Sequence, residues 1–252
     1  MSTRRKRIVL KFGTGILTTP DGSALEKKQF RRLAADIAGL VRDGHECVIV
    51  SSGAVAAGLR VLGLHERPTD LPTIQGCAAV GQSKLMQMYE VAFAAHELDV
   101  AQLLLTHGDL DSRMRYLNAK NTLRRLVEAR TIVPIINEND SVAVEELRFG
   151  DNDRLSAEVA MLADADLLIL LTSVDGLMHE GKVIPVVSDI ENAAQFVRHE
   201  KGKFSVGGML SKLDAVKIAT RARIPTVVAN GRKPGVISRI ASGKSEGTSF
   251  PL

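Results

Sequence analysis

Six short apolar runs, separated by segments with helical periodicity, constrain the fold of this chain more than any other feature. The runs are rich in Val, Ile and Leu without clean alternation with polar residues, which is typical of strands covered on both faces. They span Ile8–Phe12, Cys47–Val50, Val100–Leu105, Ile132–Ile136, Leu167–Leu171 and Thr226–Ala229. Strands that alternate with helices predict an α/β protein, a three-layer α/β/α sandwich with a mainly parallel central sheet.

The helices are predicted from apolar positions that recur on one face. Ser23 and Glu26 have the spacing of a capping box, and apolar residues follow on one face from Leu25 to Leu40. Further helices are predicted over Gln75–His96, Asp111–Arg130, Asn152–Ala163 and Leu210–Ala222.

Two segments interrupt the alternation of strands and helices. Ser141–Phe149 alternates apolar and polar residues, and Val183–Val187 follows the turn dipeptide Glu180-Gly181. Both predict hairpins near one edge of the sheet.

Charge divides the chain into a short basic terminus and one large domain. The net charge is +4, and Arg4, Arg5, Lys6 and Arg7 account for all of it, since the other basic residues equal the 29 acidic ones. We therefore predict a flexible basic arm over residues 1–7 and a single domain over 8–252. A neutral body with 4% aromatic residues argues against a nucleic-acid partner.

The location of the protein is predicted from two features that the sequence lacks. No segment approaches the roughly 18 apolar residues of a membrane helix, and the run after the basic arm is too short for a signal peptide. Cys47 and Cys77 are the only cysteines and cannot form a disulfide framework. We expect two reduced, buried thiols in a cytoplasmic protein that does not bind a membrane.

The connections after the predicted strands hold the chemistry, because ligands bind beyond the carboxyl ends of a parallel sheet. Glycines follow Lys11 after the first strand, and glycines precede Lys212 at the start of the last long helix. Glycine turns, helix N-termini and two lysines together indicate a polyphosphate site. The chain contains neither G-x-x-x-x-G-K-[ST] nor G-x-G-x-x-G after the first strand, which disfavours a P-loop enzyme and a Rossmann dehydrogenase.

Amide and acidic residues cluster on either side of the first predicted hairpin. One cluster is Asn137–Asp140 and the other is Asp151–Asp153. Each is compatible with turn chemistry, or with a site for an ammonium group, a metal ion or the lysines. The histidines are scattered, and His107 and His179 are interpreted as surface residues in loops.

Motifs spread over nearly the whole chain indicate one enzyme family. They are VLKFGTGIL (9–17), VIVSSGAVAAG (48–58), AAVGQSKLM (78–86), LLT (104–106), RYLNAKNTL (115–123), VPIINENDSVAV (133–144), FGDNDRLSA (149–157), LLILLTSVDGL (167–177), GGMLSKLDAV (207–216) and GRKPGVI (231–237). With INEND followed by GDND, they resemble the glutamate 5-kinases, a branch of the amino acid kinase family.

The resemblance implies a reaction and roles for particular residues. The reaction is ATP-dependent phosphorylation of the γ-carboxylate of L-glutamate to L-glutamyl 5-phosphate, the first step of proline biosynthesis. Lys11 and Lys212 are expected to contact phosphates and stabilise the transferred group, and Asp153 to hold both lysines in place. The expected glutamate ligands are Ser52, Asp140 and Asn152. The expected nucleotide-binding residues are Lys11, Thr172, Ser173, Val206, Gly207, Gly208, Met209, Leu210, Ser211 and Lys212.

The resemblance also implies cofactors and partners. ATP and Mg²⁺ are expected, with the metal held mainly by the ATP phosphates. A homo-oligomer, either dimer or tetramer, is expected, with a possible handoff of product to glutamate-5-semialdehyde dehydrogenase. The C-terminal PUA domain of many members is expected to be absent, because the chain ends where the kinase domain ends.

The chain departs from the family pattern in the predicted nucleotide loop. Ser173 stands where the family often has Asp, and Met178–Gly181 replaces the usual Tyr–Thr–x–Asp–Pro. Two alternatives stay open: a kinase of the same fold acting on N-acetylglutamate, aspartate, carbamate or a nucleoside monophosphate, or a nucleotide-sensing regulator without catalysis. INEND and GDND argue against the first, and the intact Lys11, Asp153 and Lys212 argue against the second.

Overall fold

A seven-stranded sheet forms the centre of the molecule. The structure is a computed structural model that describes residues 5–22, 24–143, 152–199 and 206–252. Its strands are β1 (Arg7–Phe12), β2 (Glu46–Ser51), β3 (Asp99–Leu105), β4 (Ile132–Glu138), β5 (Leu167–Thr172), β8 (Thr226–Asn230) and β9 (Thr248–Phe250). A separate antiparallel pair consists of β6 (Met178–His179) and β7 (Lys182–Val183). The order in the sheet is β3-β4-β2-β1-β5-β8-β9, and only β9 runs antiparallel to its neighbour.

Helices cover both faces of the sheet. They are α1 (Thr14–Leu17), α2 (Lys27–Arg42), α3 (Ala54–Leu59), α4 (Leu71–Ala94), α5 (His107–Asp111), α6 (Arg113–Glu128), α7 (Asp153–Leu162), α8 (Ile190–His199), α9 (Val206–Arg221) and α10 (Val236–Ala241), with a 3-10 turn at Arg60–Leu62. The core on one face draws on α2, α4 and α10, and the core on the other face draws on α6, α7 and α9. Alternate residues of β1 enter opposite cores, Leu10 one and Val9 the other. The predicted α/β/α sandwich is confirmed.

All six predicted strands form, each at least one residue longer than its apolar run. The extra residues include Ser51, Glu138, Thr172 and Asn230, polar residues at the carboxyl ends of their strands. The prediction that each strand is covered on both faces is wrong for β3, where Asp99 and Gln102 are exposed, because β3 lies at an edge of the sheet.

Local turn chemistry changes two other predictions. The helix predicted from the Ser23–Glu26 pattern begins at Lys27 and has Glu26 as its N-cap without a side-chain hydrogen bond, while Ser23 lies outside the described residues. Of the hairpin segment predicted at Val183–Val187, only Val183 belongs to a hairpin, which is formed by β6 and β7 and joined by Glu180 and Gly181, both with positive φ, whereas Val186 forms a bridge with Ser249. Of the hairpin predicted at Ser141–Phe149, residues 144–149 lie outside the described residues.

The described part of the basic terminus is held by the domain. Arg7 begins β1, and its guanidinium donates to Glu46 at 2.7 Å. Arg5 also pairs with Glu46, and Lys6 Nζ donates to the carbonyl of Ala241 at 3.1 Å. Residues 5–7 are therefore tied down, whereas residues 1–4 lie outside the described part of the chain.

Two glycines let α3 pack directly against α4. A Cβ added at Gly58 would lie 1.9 Å from the carbonyl oxygen of Cys77, and one added at Gly81 would lie 1.8 Å from that of Ala54. Neither gap accepts a methyl group, so the backbones must separate if either glycine is replaced. Since α3 follows the turn after β2, this contact also fixes the rim of the sheet.

We predict that Gly81→Ala destabilises the protein by about 1–3 kcal/mol or more, the usual effect of overpacking a closed contact. Gly76→Ala is the matched control on the same helix, because its added Cβ meets only Leu62 at 3.8 Å. Replacing a helical glycine by alanine is favourable by roughly 0.5–1 kcal/mol where space allows. Urea unfolding of the two variants measures the difference, and equal stabilities would contradict the close α3–α4 contact.

Candidate active site

A buried carboxylate between two lysines lies at the carboxyl end of the central strand. Asp153 Oδ1 lies 2.6 Å from Lys11 Nζ, and Asp153 Oδ2 lies 2.9 Å from Lys212 Nζ. Ser211 Oγ donates to Oδ2 at 2.9 Å. Asp153 is fully buried, and 2% of Lys11 and 8% of Lys212 are exposed. Two cations against one anion leave this group, here called the lysine–aspartate centre, with a net positive charge.

Three elements bring the lysine–aspartate centre together. Lys11 lies near the end of β1, between β2 and β5 in the sheet. Asp153 is the first residue of α7, where the helix dipole favours a negative charge. Lys212 lies on the second turn of α9, and its ammonium also donates to the carbonyl of Gly208 at 3.0 Å. The sequence resemblance predicted this grouping, and the structure brings its three members into contact.

A cavity of about 200 Å³ opens beside the lysine–aspartate centre. Ser52, Asp140 and Asn152, the predicted glutamate ligands, all line it. Gly53 follows Ser52 with a φ of 98°, in the left-handed region that favours glycine, and is the N-cap of α3. The cavity is also lined by Asn137 and Glu138 of the predicted acid–amide cluster, and by Thr14 and Arg67, which sequence reasoning did not single out.

Side-chain amides fix the orientation of Asn152 in this cavity. Asn152 Nδ2 donates to the carbonyl oxygen of Ser51 at 2.5 Å and to Asn137 Oδ1 at 2.6 Å. Asn137 is buried at the end of β4, and its own Nδ2 donates to Gln82 Oε1 at 2.8 Å. The two predicted acid–amide clusters therefore meet through Asn137 and Asn152, while Asp151 lies outside the described residues.

The predicted nucleotide residues lie on two neighbouring elements of the same rim. Thr172 ends β5 and its carbonyl accepts from Gly231 N at 2.9 Å, while Ser173 follows it on the surface. Residues 206–212 form the first two turns of α9. Beyond Ser173, the carboxylate of Asp175 accepts from Asn230 Nδ2 at 2.8 Å and pairs with Lys233 at 2.9 Å. Sequence reasoning assigned no role to either partner of Asp175: Lys233 lies in the motif GRKPGVI, and Asn230 lies between that motif and the last apolar run.

Comparison with known proteins identifies the fold family. A model of the amino acid kinase family matches residues 6–230. The chain belongs to the amino acid kinase family. This kinase is 50% identical over 252 residues to a glutamate 5-kinase of Thermus thermophilus, covering 97% of this chain and 67% of the relative. It is 45% identical over 256 residues to a glutamate 5-kinase of Dehalococcoides mccartyi, covering 97% of this chain and 68% of the relative.

A solved structure supports the fold of the kinase. The N-acetylglutamate synthase of Neisseria gonorrhoeae, complexed with coenzyme A and N-acetyl-glutamate, superimposes with a TM-score of 0.70 at 16% identity. The match covers 98% of this chain and 59% of that chain. The resemblance to glutamate 5-kinases predicted from the motifs is confirmed by the relatives, and the amino acid kinase fold is confirmed by this structure.

The described residues of the kinase contain neither a cluster of metal ligands nor a membrane-spanning helix. Within 5–22, 24–143, 152–199 and 206–252, no group of three or more His, Cys, Asp or Glu side chains could hold a metal ion. Both oxygens of Asp153 already contact cations, so the lysine–aspartate centre does not fit a resident metal. The same ranges contain no helix with the length and apolarity needed to cross a membrane.

His107 is not a surface loop residue, contrary to the interpretation of the sequence. It is the first residue of α5, 20% of its side chain is exposed, and its Nδ1 lies 2.6 Å from Glu158 Oε2. The hydrogen bond with Glu158 raises the pKa of His107 above its usual value of 6.5, and the charges of Glu158 and Glu138 act in the same direction. Glu138 itself lines the cavity.

The raised pKa of His107 predicts a pH-dependent contribution to stability. The folded state holds the proton more tightly, so the contribution is complete below about pH 6.5 and is lost as pH rises through the higher folded pKa. We expect the free energy of unfolding lost in His107→Asn to be larger at about pH 5.5 than at about pH 9 in urea titrations. His65→Asn, at an exposed histidine, is the control. An equal loss at both pH values would contradict titration of the His107–Glu158 pair.

Proposed function

We propose that this kinase transfers the γ-phosphoryl group of ATP to the γ-carboxylate of L-glutamate, giving L-glutamyl 5-phosphate and ADP. The observation that carries the proposal is the position of the lysine–aspartate centre beside a cavity lined by Ser52, Asp140 and Asn152. The names of its relatives at 45–50% identity support the same reaction. The product would be the first intermediate of proline biosynthesis.

The proposed reaction needs positive charge and positioning rather than a general base. The γ-carboxylate of glutamate has a pKa of about 4.3 and is already ionised at neutral pH. One of its oxygens attacks the γ-phosphorus, and the bond from that phosphorus to the bridging oxygen breaks, so ADP leaves with the electron pair. The obstacle is the approach of an anion to a polyanion, which Lys11 and Lys212 offset. Mg²⁺ would enter with ATP, held mainly by its phosphates.

The cavity suits the other end of the same substrate. Asp140 supplies a carboxylate and Asn152 a carbonyl oxygen, both suited to an α-ammonium group, and Ser52 supplies a hydroxyl. We assign Thr172, Ser173 and residues 206–212 to the nucleotide, because they lie at the neighbouring strand end and around Lys212.

The proposal extends to the surroundings of the kinase. Val61, Leu62 and Val91 are exposed apolar residues beside an apolar groove of about 470 Å³ between α2, α3 and α4. This surface supports a homo-oligomer, dimer or tetramer. Handoff of the labile acyl phosphate to glutamate-5-semialdehyde dehydrogenase and a cytoplasmic location belong to the same proposal.

Burial raises the pKa of the free Cys47 thiol to about 12, consistent with a reduced, unreactive cysteine.

We predict that Lys11→Ala and Lys212→Ala each lower kcat by roughly 10²-fold or more, because each removes a cation that stabilises the transferred phosphoryl group. Glutamate-dependent ADP release, with the product trapped as γ-glutamyl hydroxamate, measures the loss. Lys244→Ala, at an exposed lysine away from the centre, is the matched control. Turnover close to wild type in a folded Lys11 or Lys212 variant would remove that lysine from the mechanism.

We also predict a preference for L-glutamate over N-acetylglutamate of at least about 10²-fold in kcat/KM. N-acetylation removes the ammonium group, and breaking a buried ion pair costs about 3–5 kcal/mol, less where water enters. Asp140→Ala should erode this preference by impairing glutamate use, while the KM for ATP changes little. If Asp140 only braced its turn, the variant would lose stability with unchanged selectivity. Equal use of both substrates by the wild type would contradict the assigned substrate.

A further inference from the structure

Four side-chain amides form a directed chain from the edge of the sheet to the proposed substrate cavity. Gln82 Nε2 on α4 donates to Gln102 Oε1 on β3 at 3.1 Å. Asn137 Nδ2 donates to Gln82 Oε1 at 2.8 Å, and Asn152 Nδ2 donates to Asn137 Oδ1 at 2.6 Å. Each amide therefore donates to the next one in the direction of Gln102. Of the four residues, only Asn137 and Asn152 line the cavity.

The direction of this chain decides which atom Asn152 offers to a ligand. A primary amide has two N–H donors, and Asn152 uses its nitrogen on both the carbonyl oxygen of Ser51 and Asn137 Oδ1. Within the part of the chain that the structure describes, Asn152 Oδ1 receives no hydrogen bond from a protein donor. Asn152 therefore presents an acceptor, which suits an ammonium group and not a second carboxylate.

Gln82 maintains this direction through Asn137. If the Asn137 amide turned over, its NH₂ would face the NH₂ of Asn152, and two donors would oppose each other. The oxygen of Gln82 prevents this, because it accepts from Asn137 Nδ2 in a site where Asn137 is 1% exposed. The carbonyl of Ser51 holds Asn152 independently, so loss of Gln82 weakens the orientation of Asn152 without abolishing it.

We propose that Gln82 is a positioning residue that keeps Asn152 in its acceptor orientation and thereby favours substrates with a free ammonium group. The inference rests on the proposed function, since it concerns how the same cavity recognises glutamate. Gln82 itself lies outside the cavity and touches no reacting atom. Its effect is therefore expected in substrate affinity and selectivity, and not in the rate of phosphoryl transfer.

Three variants test this role. Gln82→Met keeps the length of the side chain but removes the acceptor, and Gln82→Glu keeps an acceptor for Asn137. Gln87→Met is the matched control, because Gln87 lies on the same helix and is exposed at the rim of the apolar groove. Each variant is assayed with L-glutamate and with glutarate, which has the same acceptor carboxylate but no ammonium group.

In Gln82→Met we expect the ratio of kcat/KM for glutamate to that for glutarate to fall about 10-fold, as for one weakened hydrogen bond to a charged group. The fall should come from KM for glutamate, with kcat and the KM for ATP within about 2-fold of wild type by the same reasoning. Gln82→Glu and Gln87→Met should keep the ratio of the wild type.

A merely structural role for Gln82 gives a different result. It would lower kcat/KM for both substrates together, and Gln82→Glu would behave like Gln82→Met; either outcome overturns the inference. Calorimetric Kd values for glutamate and glutarate measure the same selectivity without turnover. If the wild type bound glutamate but released no ADP with it, the proposed reaction would be wrong, while the Kd ratios would still decide the role of Gln82.

Discussion

The fully buried carboxylate of Asp153 is the constraint on which the rest of the site depends. Lys11 and Lys212 are almost as deeply buried, and an ammonium without a partner at such depth costs several kcal/mol. One carboxylate between two lysines offsets part of that cost and leaves an excess positive charge. Among these three described residues at the carboxyl end of the central strand, positive charge exceeds negative charge by one, which suits an anionic ligand such as a phosphate.

One backbone turn links this charged centre to the cavity. Asn152 caps α7 and Asp153 is the first residue of that helix, so two neighbouring residues serve different sides of the site. Asp153 contacts the lysines, whereas Asn152 contacts the amide chain and lines the cavity. A shift of the start of α7 would therefore disturb both sides together. The packing of α7 into the core through Leu155 and Val159 opposes such a shift.

Sequence patterns predicted the main strands and the layers of the fold, because the pattern that indicates each strand or helix lies within one short segment of the chain. A run such as Leu167–Leu171 has no plausible place except a buried strand, and six such runs with helices between them specify the layers. The shortest elements were not predicted, because a segment of few residues shows no periodic pattern. Strand β9 has three residues and helix α3 has six, too few for a period to emerge. The wrong start of α2 shows that a capping pattern such as Ser23–Glu26 competes with tertiary contacts, since Leu25 instead forms a bridge with Thr18.

The site was predictable where the family motifs named its residues, and not where long-range packing places them. Lys11 and Lys212 were predicted from the glycine-rich connections in which they lie, whereas the role of Asp153 between them came from the resemblance, because no spacing rule joins positions so far apart in the sequence. Gln82 lies in a matched motif, yet its local pattern is that of any glutamine on a helix. Its role requires α4 to cross beside β4 and Asn137 to lie between two amides.

The orientation of a side-chain amide cannot be predicted from the sequence, so sequence reasoning does not identify a positioning residue such as Gln82. A glutamine or asparagine side chain has nearly the same shape in both orientations, so its donor and acceptor ends are distinguished only by its partners. The chain of side-chain amides is anchored at one end by the carbonyl of Ser51, which can only accept. From Asn152 it continues through Gln82 to Gln102 on the edge strand. The polarity presented to a ligand by Asn152 is thus a property of five elements at once: β2, β3, β4, α4 and the N-cap of α7. The proposed recognition of an ammonium group by a neutral amide rests on that shared arrangement, just as the position of the two lysines rests on Asp153.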